Sequence, residues 1–192
     1  MKRRKNNLIK ESLIYLRESK NYIFIAVLLF VLSALVGFIF YQNFYFFDKF
    51  LKDIVDKISG LSLTGLILYI FYNNALSALI AILLGVAFGV FPVLNALLNG
   101  TLIGYVLARA SQIEGVGLGV AWRLVPHGIF ELPAIFIAIG LGIRLGASFF
   151  NKNSNVIFRE RFKKSIVCYL VVIVPLLIVA ACIEGLLIFY SG

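Results

Sequence analysis

From Ile58 to Ala108 the chain runs for 51 residues without an Asp, Glu, Lys, Arg or His. As one helix that run would be about 76 Å long, more than twice the ~30 Å hydrocarbon core of a bilayer. It must therefore fold back on itself. The turn is expected at Gly85-Val86-Ala87-Phe88-Gly89-Val90-Phe91-Pro92, where Pro92 removes a backbone donor and Gly85 and Gly89 relax the chain. Two membrane spans follow, near residues 63–89 and 91–108, with a re-entrant third segment as the alternative to a full crossing.

The rest of the sequence agrees. Of 192 residues 61% are hydrophobic and 14% charged, and the mean hydropathy is +0.99. Soluble domains run at about 45–50% and about 25%. A soluble enzyme, a disordered tail and a secreted disulfide scaffold are all disfavoured. Further apolar runs lie at residues 22–41, 123–145 and 166–189. The first reads as a retained anchor, since no small-x-small cleavage pattern precedes Gln42-Asn43-Phe44. The expected fold is all-α: one polytopic membrane domain over residues 1–192 with five transmembrane helices.

Net charge +9 would point to nucleic acid in a soluble protein. Here it reads as topology. With the N-terminus inside, thirteen of the eighteen Lys and Arg fall on the inner side, at Lys2, Arg3, Arg4, Lys5, Lys10, Arg17, Lys20, Arg144, Lys152, Arg159, Arg161, Lys163 and Lys164. Lys49, Lys52, Lys57, Arg109 and Arg123 stay outside. This positive-inside bias predicts a multi-pass protein of the cytoplasmic membrane with a cytoplasmic N-terminus and an outer C-terminus. The partners implied are the lipid bilayer and not nucleic acid.

Residues 43–59 place Phe47, Phe50, Leu51, Ile54 and Ile58 at helical spacing, with Asp48, Lys49, Lys52, Asp53, Asp56 and Lys57 opposite. That pattern predicts an amphipathic helix, lying on the outer leaflet or packed on the bundle. Residues 8–20 are a weaker version on the inner side.

Four glycine pairs at four-residue spacing, Gly85/Gly89, Gly100/Gly104, Gly115/Gly119 and Gly142/Gly146, suit close helix approach within the chain or in a homodimer or other homo-oligomer. Polar groups inside the spans are fewer: Asn73 and Asn74, then Asn95 and Asn99, then His127 and Glu131 framed by Pro126 and Pro133. An ionisable group at that depth costs on the order of 2.5–3.5 kcal/mol and normally has a partner, for which His127 is the nearest candidate to Glu131. The cluster reads either as a structural clamp between helices or as a proton or substrate site.

Catalysis is not expected. One His cannot supply a metalloprotease site, no Gly-x-Ser-x-Gly surrounds Ser77, and no P-loop or dinucleotide motif occurs. Cys168 and Cys182 lie fourteen residues apart, about 21 Å on one helix, so they form neither a disulfide nor a metal pair. No cofactor and no metal are implied.

The string Leu124-Val125-Pro126-His127-Gly128-Ile129-Phe130-Glu131-Leu132-Pro133-Ala134, with Asn73-Asn74, Asn99-Gly100 and Gly142-Ile143-Arg144-Leu145-Gly146, closely resembles the stage II sporulation protein M family of integral membrane proteins. The pattern carries over to Asn73, Asn74, Gly85, Gly89, Pro92, Asn99, Gly100, Pro126, His127, Glu131, Pro133 and, at an inner helix end, Arg144. In endospore formers the family acts in engulfment, holding a lytic transglycosylase and an amidase at the septum. The resemblance thus implies a non-enzymatic scaffold in cell-envelope remodelling with envelope or membrane proteins as partners. The competing reading is a small permease in which Glu131 and His127 exchange a proton.

Overall fold

The computed structural model describes the backbone of residues 2–112 and 121–191 and the side chains of residues 8–112 and 129–190. The helices in chain order are α1 (Lys2–Glu18), α2 (Lys20–Ile39), α3 (Phe46–Ile58), α4 (Leu63–Leu83), α5 (Val90–Ser111), α6 (Ala121–Gly146), α7 (Ser154–Cys168) and α8 (Val174–Ser191). The described residues contain no strand. Among the described residues five helical segments are long and apolar enough to cross a membrane: Lys20–Ile39, Leu63–Val86, Val90–Ser111, Ile129–Phe150 and Ser154–Tyr190. The chain is an all-α membrane protein. At 22 residues, α5 is about 33 Å long, enough to cross rather than re-enter.

Two boundaries differ from the sequence reading, each for a local reason. The second span does not run to Gly89. It leaves α-geometry at Leu83, continues as a 3-10 turn over Leu84–Val86, and reverses where Phe88 (φ 53°) and Gly89 (φ 76°) take the left-handed conformation. Pro92 then sits in the first turn of α5, where a missing N–H costs nothing, so the proline opens the helix of the third span. The helix that carries the fifth span, read from the sequence as residues 166–189, starts earlier, at Ser154, with the charged α7. α7 runs unbroken into α8 through a π-helical stretch, Tyr169–Ile173, in which Val174 donates to the carbonyl of Tyr169 five residues back. Pro175 follows at once, so the wider turn falls where the α-ladder would lose a donor.

α6 forms the centre of the bundle. Its Ala134, Ala138 and Leu141 pack with Ala75, Ala78 and Ile82 of α4 and with Ile173 and Leu177. Its Ile139 meets Ala26 of α2, Ala81 of α4 and Ala96 of α5. Lipid is as apolar as leucine, so burying leucine against helices instead of lipid gains little; small residues let the backbones themselves approach.

Glycines carry this further. A Cβ at Gly100 would fall on the Phe30 carbonyl and the Ser33 hydroxyl, one at Gly104 on the Ala34 carbonyl, and one at Gly37 on the Thr101 carbonyl. α2 and α5 therefore touch backbone to backbone. The Gly85/Gly89 and Gly142/Gly146 pairs face each other: a Cβ at Gly85 would strike Gly142, and one at Gly146 would strike Gly89. The turn after α4 is thereby pressed onto α6. Gly115 and Gly119 lie outside the described residues.

α1 packs on α7 at the end of the bundle that also holds the 84–89 turn, called here the basic end. α3 lies at the opposite end. It is held at its first turn, where the Phe47 ring lies 5.7 Å from the tilted ring of Tyr105 and the fully buried Tyr105 hydroxyl donates to Asp48, and at its end, where Ile58 packs against Leu66, Ile70 and Ala181. Arg109 lies 3.6 Å from the same carboxylate. Phe46, Phe50 and Val55 remain exposed, as an interfacial helix requires. Replacing Asp48 by Ala leaves the Tyr105 hydroxyl without its acceptor, a loss of about 1–3 kcal/mol. The expected result is faster amide exchange confined to α3 while the spans keep their protection.

Candidate functional site

Two of the polar residues singled out in the sequence, Asn95 and Asn99 of α5, meet Ser77 of α4. The Asn99 amide donates to both the backbone carbonyl (2.8 Å) and the side-chain oxygen (3.0 Å) of Asn95, one turn away. Asn95 in turn donates to the Ser77 hydroxyl of α4 at 3.5 Å. This ladder ties α4 to α5 at a depth where little else polar is available. Ser77 has no motif context in the sequence, and its role appears only once α4 and α5 lie side by side.

Glu131 projects from α6 one turn before Ala134 and Ile135 and is 3% exposed. It has an interaction partner. The backbone of His127 belongs to α6, but its side chain and that of Pro126 lie outside the described residues, as does most of the segment between α5 and α6. Asn74 is half-buried. Asn73 is exposed on α4 and makes no hydrogen bond among the described residues. The structure thus joins Asn95 and Asn99 with Ser77 and turns Asn73 outward.

The most elaborate polar assembly is one the sequence did not suggest beyond Arg144. At the basic end the Arg144 guanidinium, closing α6, donates to the Tyr15 carbonyl (3.1 Å), the Ser19 hydroxyl (2.6 Å) and Glu18 (3.0 Å), and lies 4.4 Å from the centre of the Tyr15 ring. Arg161 of α7 donates to the Arg144 carbonyl at 2.7 Å and to the Ser148 hydroxyl at 3.3 Å. Tyr15 itself donates to the Arg161 carbonyl and shares a hydrogen bond with Ser165. Burial raises the Tyr15 pKa above its ordinary value, so the phenol stays neutral. Ser19, Ser148 and Ser165 are fully buried. This clasp fastens the α1–α2 junction, the end of α6 and α7 together.

Chemically, the arrangement binds helices to one another. Neither the ladder nor the clasp pairs a nucleophile with a base, and among the described residues no three His, Cys, Asp or Glu gather as a metal site.

A family model described as Stage II sporulation protein M matches residues 26–187. An uncharacterized protein of Methanocaldococcus jannaschii is 26% identical over 190 residues, spanning 91% of this chain and 84% of that relative. No solved structure matches.

Proposed function

The chain belongs to the stage II sporulation protein M family, and from that premise we propose that it is a non-enzymatic membrane scaffold that organises partner proteins during cell-envelope remodelling. The observation that carries this reading is the backbone-to-backbone locking of the spans. α2 is fixed to α5 by Gly37, Gly100 and Gly104, and the 85–89 turn is fixed to α6 by Gly142 and Gly146. A permease needs two bodies that rock about a central site. Here helices from the first and second halves of the chain interlock, and the result behaves as one rigid platform.

Both faces of that platform display helices. The basic end, with α1 and α7, faces the cytoplasm by the positive-inside rule, which puts α3 and the C-terminus outside. α3 offers Lys49, Lys52, Asp53, Asp56 and Lys57 to a partner beyond the outer leaflet. On this reading Glu131 is a clamp in the core, supported by its burial.

Glu131→Gln tests the assignment. A clamp loses one charged interaction, so stability falls by about 1–3 kcal/mol, while neither wild type nor variant moves protons or solute in liposomes. Wild-type uptake driven by a pH gradient, abolished in a variant that stays fully folded, would establish the permease instead.

A further inference from the structure

We propose that two copies of this chain pair side by side in the membrane along the exposed face of α4, the Asn73 amides bonding to each other across a two-fold axis. Asn73 is the central residue of the 21 in α4, about 15 Å from either end and so at the middle of the hydrocarbon. It carries two N–H donors and a carbonyl acceptor, is exposed, and has no hydrogen bond among the described residues. Asn95 and Asn99, the nearest amides on α5, are engaged with each other and with Ser77. A primary amide facing acyl chains costs several kcal/mol unless another polar group meets it.

The surrounding surface says what meets it. Leu76 (41%), Ile80 (41%) and Leu83 (36%) are exposed on the same face. With Asn73 they alternate at spacings of three and four residues, the seam of a left-handed two-helix coil. Asn73 and Ile80 take one set of seam positions and the two leucines the other, the pattern that favours two parallel strands, with a single Asn fixing register. Copies inserted with the same topology necessarily present α4 in parallel. Asn73 then meets Asn73 at equal depth, and an amide is complementary to itself. A two-fold isologous interface needs this self-complementarity; lipid chains offer none.

This pairing requires only that the chain span a bilayer, so it fails separately from the scaffold reading. A monomer that still recruits envelope proteins overturns the pairing alone. A dimer that drives solute flux overturns the scaffold alone.

The test uses full-length chain carrying donor or acceptor dye at the N-terminus, reconstituted in liposomes over a range of protein-to-lipid ratios. Energy transfer should report a dimer. Asn73→Leu should move its midpoint to about tenfold higher protein density, and Asn73→Gln, which keeps the amide, should fall between. Helicity should be unchanged, because Asn73 makes no hydrogen bond among the described residues. Absence of transfer at all densities, or an unchanged midpoint in Asn73→Leu, overturns the proposal. As a second measurement, Ile80→Cys should give a disulfide-linked dimer under mild oxidant while Leu28→Cys, on the exposed face of α2, should not. Failure of Ile80→Cys to cross-link, or equal cross-linking of both, also overturns it.

Discussion

Replacing Gly104 by Leu is expected to separate α2 from α5 and to remove most of the folded protein from the membrane. Even the first atom of a side chain has no room. A Cβ there falls on the Ala34 carbonyl oxygen and comes within 2.8 Å of the Ala34 carbonyl carbon and of the Phe38 nitrogen. All three are backbone atoms of a regular helix, so no rotamer change relieves the clash. α2 must move outward as a body, which also undoes the Gly37–Thr101 and Gly100–Phe30 approaches along the same contact. The cost is about 3 kcal/mol or more, on the order of a hundredfold in the folded fraction. A Leu at Gly65, where a Cβ meets only side-chain atoms at ordinary distances of 3.4 Å and beyond, is the control. Reversible unfolding in mixed micelles compares the two. Equal stability of Gly104→Leu and wild type would mean that the α2–α5 contact is not as close as described.

Arg144→Ala is expected to open the basic end. Its guanidinium makes three hydrogen bonds from a side chain 12% exposed. The Glu18 arm contributes least, since that carboxylate is 49% exposed and surface pairs are worth about 0–1 kcal/mol. The bonds to the Tyr15 carbonyl and the buried Ser19 hydroxyl, with the ring contact, carry the rest, roughly 3 kcal/mol together. Two further variants separate these parts. Glu18→Gln should cost under about 1 kcal/mol. Arg144→Lys should recover only part of the loss, because one ammonium cannot reach all three acceptors and stack on the ring. Faster amide exchange in α1 and α7, with the spans unaffected, locates the change. If Arg144→Ala and Glu18→Gln were equally mild, the clasp would not be holding the two helices.

The spans were readable in the sequence because hydrocarbon imposes a length and excludes charge, and both constraints are local. The glycine pairs were readable as contact surfaces but not as partners. That Gly85/Gly89 meets Gly142/Gly146 depends on how α4 and α6 run past each other. Gly37 belongs to no Gly–Gly pair at four-residue spacing; its small partner one turn away is Ser33. That the fifth span's helix starts as early as Ser154 has no hydropathy signal, because α7 is charged and packs on α1. The clasp had the least signal of all. Tyr15, Arg144 and Arg161 sit in three segments, and nothing in any of them announces the others. Pro92 signals the reversal and sits in the first turn of α5, because a proline both closes one helix and opens the next.

A photo-activated cross-linker at Lys52 or Asp53 of α3, in the native membrane, tests whether the proposed platform recruits partners at that end. The expected result of partner recruitment is discrete adducts with an envelope protein that has a domain outside the membrane, unchanged when the pH gradient is collapsed. Adducts confined to lipid and to further copies of the chain would contradict it.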